Sequence, residues 1–231
     1  PSGEVPGGNS KANFIVKLNF EGTSMEQGGK TRAAQSTAVP ETSWSNIRQV
    51  QILLYDASNI VRFSDVVTPT AGNTTFTYTD VPAGTYTMVA IANAKSSADA
   101  INTYLDGGTT PVEWGMWNVR QKQVQNMVMK YKTGTFPAFC ATALAGNTAY
   151  TEPAEIFMGA VPGVVISSDA TATPSPIALK REVSLMRVRL NVKDKEGNTN
   201  NENTAKGVDF TQDASIMIYR LPDYLKVMAG N

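Results

Sequence analysis

The sequence predicts an all-β protein, a two-sheet antiparallel sandwich interrupted by a helical insertion. Two observations carry that prediction. Segments that alternate apolar and polar residues recur at short intervals, and Pro, Gly, Asn and Asp clusters separate them. The clearest case is 74–93, TTFTYTDVPAGTYTMVAIAN. Phe76 and Tyr78 alternate with threonines, and Tyr86, Met88, Ala90 and Ala92 share one face of the next run. Pro82 sets a turn entry and Gly84 supplies backbone freedom, so the two runs read as a hairpin. Such a segment carries no chemistry and points to a scaffold or assembly unit.

The remaining elements follow in order. Residues 1–11, PSGEVPGGNSK, are rich in Pro, Gly and Ser and read as a flexible tether ahead of one domain over 12–231. A first strand spans 13–20, with Phe14, Val16, Leu18 and Phe20 on one face and Lys17 and Asn19 on the other. Residues 21–43 lack apolar periodicity and form a long exposed loop, a class often functional. A second hairpin spans 46–63, with Val50, Ile52 and Leu54 pointing one way and Asp56 to Asn59 supplying its turn. Ala98, Ile101 and Leu105 suggest a short helix over 97–105. Trp117, Val124, Met127, Val128 and Tyr131 suggest a longer one over 114–131. EIFMGA and GVVIS read as two short strands around Pro162 and Gly163. In 176–194, Met186, Val188, Leu190 and Val192 alternate with charged or polar residues, and the frame change near Val183 and Leu185 suggests a bulge. A last strand holds Ile216, Ile218 and Leu221.

Composition excludes several function classes. The 231 residues carry 20 basic and 20 acidic side chains, so no charge excess points to nucleic acid or an acidic membrane surface. There is no histidine, which removes the commonest general base and transition-metal ligand. The single cysteine, Cys140, forms no internal disulfide and sits in an apolar run that suits packing. The chain begins at Pro1 without a signal peptide, the expectation for a form whose export signal has been removed.

Each candidate chemistry competes with a structural reading. Asp194, Glu196, Asn198, Asn200 and Glu202 alternate as calcium ligands could, but Thr199 stands where an EF-hand loop needs glycine, which favours a solvated loop. Glu152 and Glu155 have no patterned geometry for glycoside hydrolysis, which leaves a small hydrolase as the weakest reading. Gly28–Gly29 and Gly107–Gly108 lack the P-loop context. No cofactor is expected. Tyr104, Trp114 and Trp117 form a candidate stacking platform for a carbohydrate, against the alternative of core aromatics. Arg32–Ala33, in the exposed loop, is a bond that a trypsin-like protease can reach.

Four segments in order, ETSWSNIRQVQILLYD, FTYTDVPAGTYTMVAIAN, EIFMGA and PIALKREVSLMRVRLNV, resemble the fimbrillin superfamily of Bacteroidales, the type V pilus subunits. The resemblance covers about residues 12–221. It implies a transthyretin-like sandwich of about seven strands with short helical insertions, and an exported lipoprotein at the outer membrane or in a fimbrium. It further implies a structural, anchor or accessory subunit assembled by donor-strand exchange, with other fimbrial subunits and an arginine-specific protease as partners. On this chain the processed bond would be Arg32–Ala33. The strand removed would be the first, with Phe14, Val16, Leu18 and Phe20 as groove plugs. The family's second sandwich domain and carboxy-terminal donor strands are not in these residues, which leaves a truncated chain or a one-domain relative. The alternative is a surface lipoprotein sandwich that binds carbohydrate, or a host protein or glycan.

Overall fold

The computed structural model describes residues 11–20, 43–94, 101–112, 119–135, 146, 148–149, 155–182 and 224–228. In chain order its strands are β1 (Lys11–Phe20), β2 (Val50–Tyr55), β3 (Val61–Val67), β4 (Thr75–Pro82), β5 (Gly84–Ala92), β6 (Ile101–Tyr104), β7 (Pro111–Val112), β8 (Val128–Tyr131), β9 (Phe157–Ile166), β10 (Ile177–Arg181) and β11 (Tyr224–Lys226). Two 3-10 turns, Trp44–Asn46 and Val124–Asn126, lie among them. The fold is the all-β sandwich that the alternation predicts.

A seven-stranded sheet runs β3-β2-β5-β9-β10-β1-β4 and a four-stranded sheet runs β11-β8-β6-β7. The larger sheet curls so that β1 and β4 cover the middle strands. Phe14, Val16 and Leu18 of β1 then share one core with Ile52 and Leu54 of β2, Met88 and Ala90 of β5, and Phe157 of β9. The opposite faces of β2 and β5, through Leu53, Val89 and Ile91, meet Ile101, Val124, Met127 and Met129 in a second core. Two-sided burial explains why β2 and β5 read as continuous apolar runs rather than alternating ones.

The expected hairpin over 74–93 does not form. β4 pairs antiparallel with β1, and β5 lies between β2 and β9. The side chains decide this. β4 exposes its threonines and suits an outer leaf, whereas β5 is apolar on both faces and suits the centre. Pro82–Gly84 therefore carries the chain from one leaf to the other. Gly84 also has a different role from the one expected. Its φ is not among the positive values, but a Cβ there would come within 2.8 Å of the Tyr86 hydroxyl. That hydroxyl donates to the Pro82 carbonyl at 3.0 Å and closes the corner.

Three other expectations change. EIFMGA and GVVIS are one strand, β9, whose register against β5 shifts between Tyr86 and Met88, with Gly163 at φ 69 in the bulge. Gly159 of β9 is required by close approach, since a Cβ there would collide with the Ala178 carbonyl of β10. The expected helices over 97–105 and 114–131 give way where the residues are described, 97–100 and 114–118 lying outside them. Ile101–Tyr104 is β6, Val124–Asn126 is a 3-10 turn, and Val128–Tyr131 is β8. Short apolar sets fit either period, and pairing of β6 with β8 supplies the backbone partners.

The β2–β3 turn is as expected. Asn59 takes φ 61, and its N–H donates to the Asp56 carbonyl at 2.9 Å. The Asp56 carboxylate accepts from the N–H groups of Ser58 and Ile60 and from Arg62 Nε at 2.6 Å. Burial pushes its carboxyl up, but Arg62 and the two backbone donors outweigh this and hold it below the ordinary carboxylate value. A lowered folded-state value gives stability that is present above the unfolded value and lost as pH falls through the folded one. Asp56→Asn is therefore expected to cost about 1 kcal/mol at neutral pH. That gap should hold from about pH 7 to 5 and close below about pH 3.9. Denaturant unfolding of both proteins across that range checks it, and a pH-independent gap would overturn it.

The segments holding Trp114, Trp117, Cys140 and Glu152, the alternating run at 186–192, the acidic loop at 194–202 and the strand expected around 216–221 lie outside the described residues. So do Arg32 and Ala33.

Candidate functional site

The candidate site is β1 and the bed that holds it. Its alternation is strict. Ala12, Phe14, Val16 and Leu18 are buried, Phe20 is half-buried, and Lys11, Asn13, Lys17 and Asn19 are exposed. β4 borders it antiparallel, with Phe14 opposite Tyr78 and Val16 opposite Phe76. β10 borders it in parallel, with Leu18 opposite Ile177 and Phe20 opposite Leu179. Nearer its start, the Ile15 N–H donates to Ala172 O at 2.9 Å and Ala172 N–H donates to Asn13 O at 3.0 Å. β1 is thus hydrogen-bonded along both edges while its apolar face fills the first core.

Two aromatic groupings line the bed. Phe14 stacks with Tyr78 at a centroid distance of 6.3 Å, and Tyr78 meets Phe63 edge-on at 4.9 Å. Burial first, and then the Asp65 carboxylate, push the Tyr78 hydroxyl far above the usual tyrosine range and keep it neutral. At the other end, Phe20 lies 4.3 Å from Trp44 and 5.8 Å from Phe157, centroid to centroid. Arg181 Cζ sits 5.4 Å from the centroid of Phe157, and its Nη2 pairs with Glu155 at 2.9 Å. The residues expected as groove plugs therefore come together on one face.

Asn93 ties this lower end to the sheet. It is 1% exposed, ends β5 at φ 61, and uses its whole side chain. Its Nδ2 donates to Asn46 O at 2.9 Å and to Glu155 O at 2.7 Å, and its Oδ1 accepts from Arg48 N–H at 2.8 Å. Glu155 in turn accepts from Asn46 Nδ2 at 3.1 Å. Glu155 is a structural ion-pair and hydrogen-bond partner here. The sequence signal for this hub is the Ala-Asn that closes the strand motif, and the signal for Trp44 is its place in ETSWSN.

Of the expected stacking platform only Tyr104 is among the described residues. Tyr104, in β6, is 8% exposed, and Lys130 Nζ lies 5.4 Å from its ring centroid, so a cation already occupies that ring.

These observations define a class, a neutral all-β sandwich whose first strand is laid along its core between two partner strands. The chain belongs to the family of fimbrillin-A associated anchor proteins Mfa1 and Mfa2, matched over residues 5–231. This is a family of fimbrial structural proteins, a cell-surface class, and not of enzymes. No curated protein matches the sequence. Solved structures similar to it include a candidate polysaccharide-binding protein from Bacteroides thetaiotaomicron VPI-5482, 16% identical over 74% of this chain and 47% of that one, TM-score 0.44. A candidate adhesin from Bacteroides ovatus is 13% identical over 74% and 47%, TM-score 0.43. A fimbrilin from Porphyromonas gingivalis W83 is 14% identical over 74% and 39%, TM-score 0.35. The chain spans less than half the length of each of these structures.

Proposed function

We propose that this chain is an anchor or accessory subunit of a cell-surface fimbria whose β1 is an exchangeable strand, released by proteolysis at Arg32–Ala33 and replaced by a strand of a neighbouring subunit. The observation that carries this reading is the placement of β1. It is bonded to β4 on one edge and to β10 on the other, with Phe14, Val16, Leu18 and Phe20 turned inward. Each fully buried apolar side chain is worth about 1.5–3 kcal/mol, against a total stability of about 5–15 kcal/mol. The body therefore cannot leave the β1 position empty without a large loss. Another strand of like pattern can fill it, with main-chain bonds for affinity and side-chain pockets for register. A replacement that keeps the same bonds runs antiparallel to β4 and parallel to β10. An arginine-specific protease is the natural agent, because Arg32 lies in the connection that follows β1. The Pro-, Gly- and Ser-rich sequence of residues 1–10 suits a lipid-anchored outer-membrane form.

Arg32→Ala is expected to abolish processing at that bond and to reduce incorporation into polymer by at least about tenfold, with folding unchanged. Mass spectrometry of the processed chain and quantification of fimbria-bound subunit check both parts. Polymer incorporation that is unchanged in the variant would remove the proteolytic gate. The alternative, a glycan- or host-ligand-binding lipoprotein, would rest on Tyr104, Trp114 and Trp117. The ring of Tyr104 is already covered, so the strand-based reading is the better supported.

A further inference from the structure

We infer that Trp44 and Phe157, backed by Arg181, form an aromatic socket that selects the last inward residue of whatever strand occupies the β1 position. The inference rests on the strand-exchange reading above and adds the chemistry of the partner strand: an aromatic side chain at the position of Phe20.

The socket is assembled from parts far apart in sequence. Trp44 comes from the 3-10 turn after the long connection, Phe157 from the start of β9, and Arg181 from the end of β10. Phe20 contacts both rings, at 4.3 and 5.8 Å with tilts of 39° and 58°. Such tilted pairs are favourable beyond the area they bury. Arg181 stacks on Phe157 and is held there by Glu155.

The Trp44 side is also built in advance. Asn46, in the same turn, donates its Nδ2 to Glu155, and its carbonyl accepts from Asn93. Ser43 caps the turn, its hydroxyl oxygen accepting from the Ser45 N–H at 3.3 Å. None of these tethers involves β1, so the Trp44 side keeps them when β1 leaves. The inward positions at 16 and 18 are enclosed by general apolar packing, and Phe14 stacks directly on one ring, that of Tyr78. Position 20 is the one where two aromatic faces and a fixed guanidinium define a shape. An incoming strand with a small residue there would leave both rings open to water.

The test uses the full chain with a site-specific protease sequence inserted in 21–42, cut to completion. Labelled peptides with the sequence KANFIVKLNF, or the same ending in alanine, are then titrated onto it. The phenylalanine peptide is expected to bind about tenfold or more tightly, and Trp44→Ala is expected to shrink the difference below about threefold. Equal binding of the two peptides, or a difference that survives Trp44→Ala, would overturn the socket. If neither peptide binds, the strand-exchange reading falls. The socket is then judged on the uncut chain from Phe20→Ala, Trp44→Ala and the double variant. Coupling of about tenfold in the unfolding constant keeps it as a lock on the chain's own strand, and additive effects overturn it.

Discussion

Phe14→Ala is expected to lower the unfolding free energy by about 3–5 kcal/mol. Phe14 is completely buried and packs on Tyr78, which in turn packs edge-on against Phe63 of β3. Removing the ring opens a void between the outer leaf and the central strands. Neither side collapses easily, because β1 is bonded along both edges. Urea unfolding measures the effect, and a loss under about 1 kcal/mol would show that the strand is not seated as described. Phe14→Leu, expected to cost roughly half as much, serves if the alanine variant does not fold. The same substitution has a functional readout. In a chain cut after β1, Phe14→Ala should make the resident strand easier to displace by a wild-type β1 peptide. An unchanged displacement rate would separate the strand's contribution to stability from its exchange.

Asn93→Ala is expected to cost about 3 kcal/mol or more, the largest effect of any polar substitution at this end of the sandwich. It leaves the carbonyls of Asn46 and Glu155 without the Nδ2 donor and the Arg48 N–H without its acceptor. These bonds are part-buried, and each costs about 1 kcal/mol to leave unmade. Alanine also resists the left-handed backbone that Asn93 holds at φ 61. Asn93→Gly keeps that conformation, so it should be milder by about 1 kcal/mol while losing the same three bonds. Hydrogen exchange at the Arg48 amide should speed up in both variants. A loss below about 1 kcal/mol for alanine, or an Arg48 amide that stays protected, would remove the hub.

Asn93 marks where reading the chain reaches its limit. Its place at the end of an apolar strand is visible, and so is its membership of a motif. Its three partners are Asn46, Arg48 and Glu155, two of them some 45 positions upstream and one 62 downstream. No local pattern encodes such partners. The same holds for the socket around Phe20, where aromatic residues at 20, 44 and 157 meet only because β1, the 3-10 turn and β9 converge.

Period-two alternation with a wet face was enough to identify β1 and the threonine-lined β4, and the residues from Asp56 to Asn59 marked the turn of the β2–β3 hairpin. In β1 and β4 one face meets water, so the burial contrast is written in the residues themselves. With no histidine and balanced charge, composition also ruled out many chemistries without reference to shape. The tertiary structure alone decided which strands are neighbours. β4 leaves β5 to pair with β1, β9 runs on through Pro162 and Gly163 as one bulged strand, and 101–104 and 128–131 become strands of a second sheet. The physical reason is common to all three. A strand's partner is set by which apolar face must be covered and which backbone groups remain to be bonded, and both depend on segments distant in the chain.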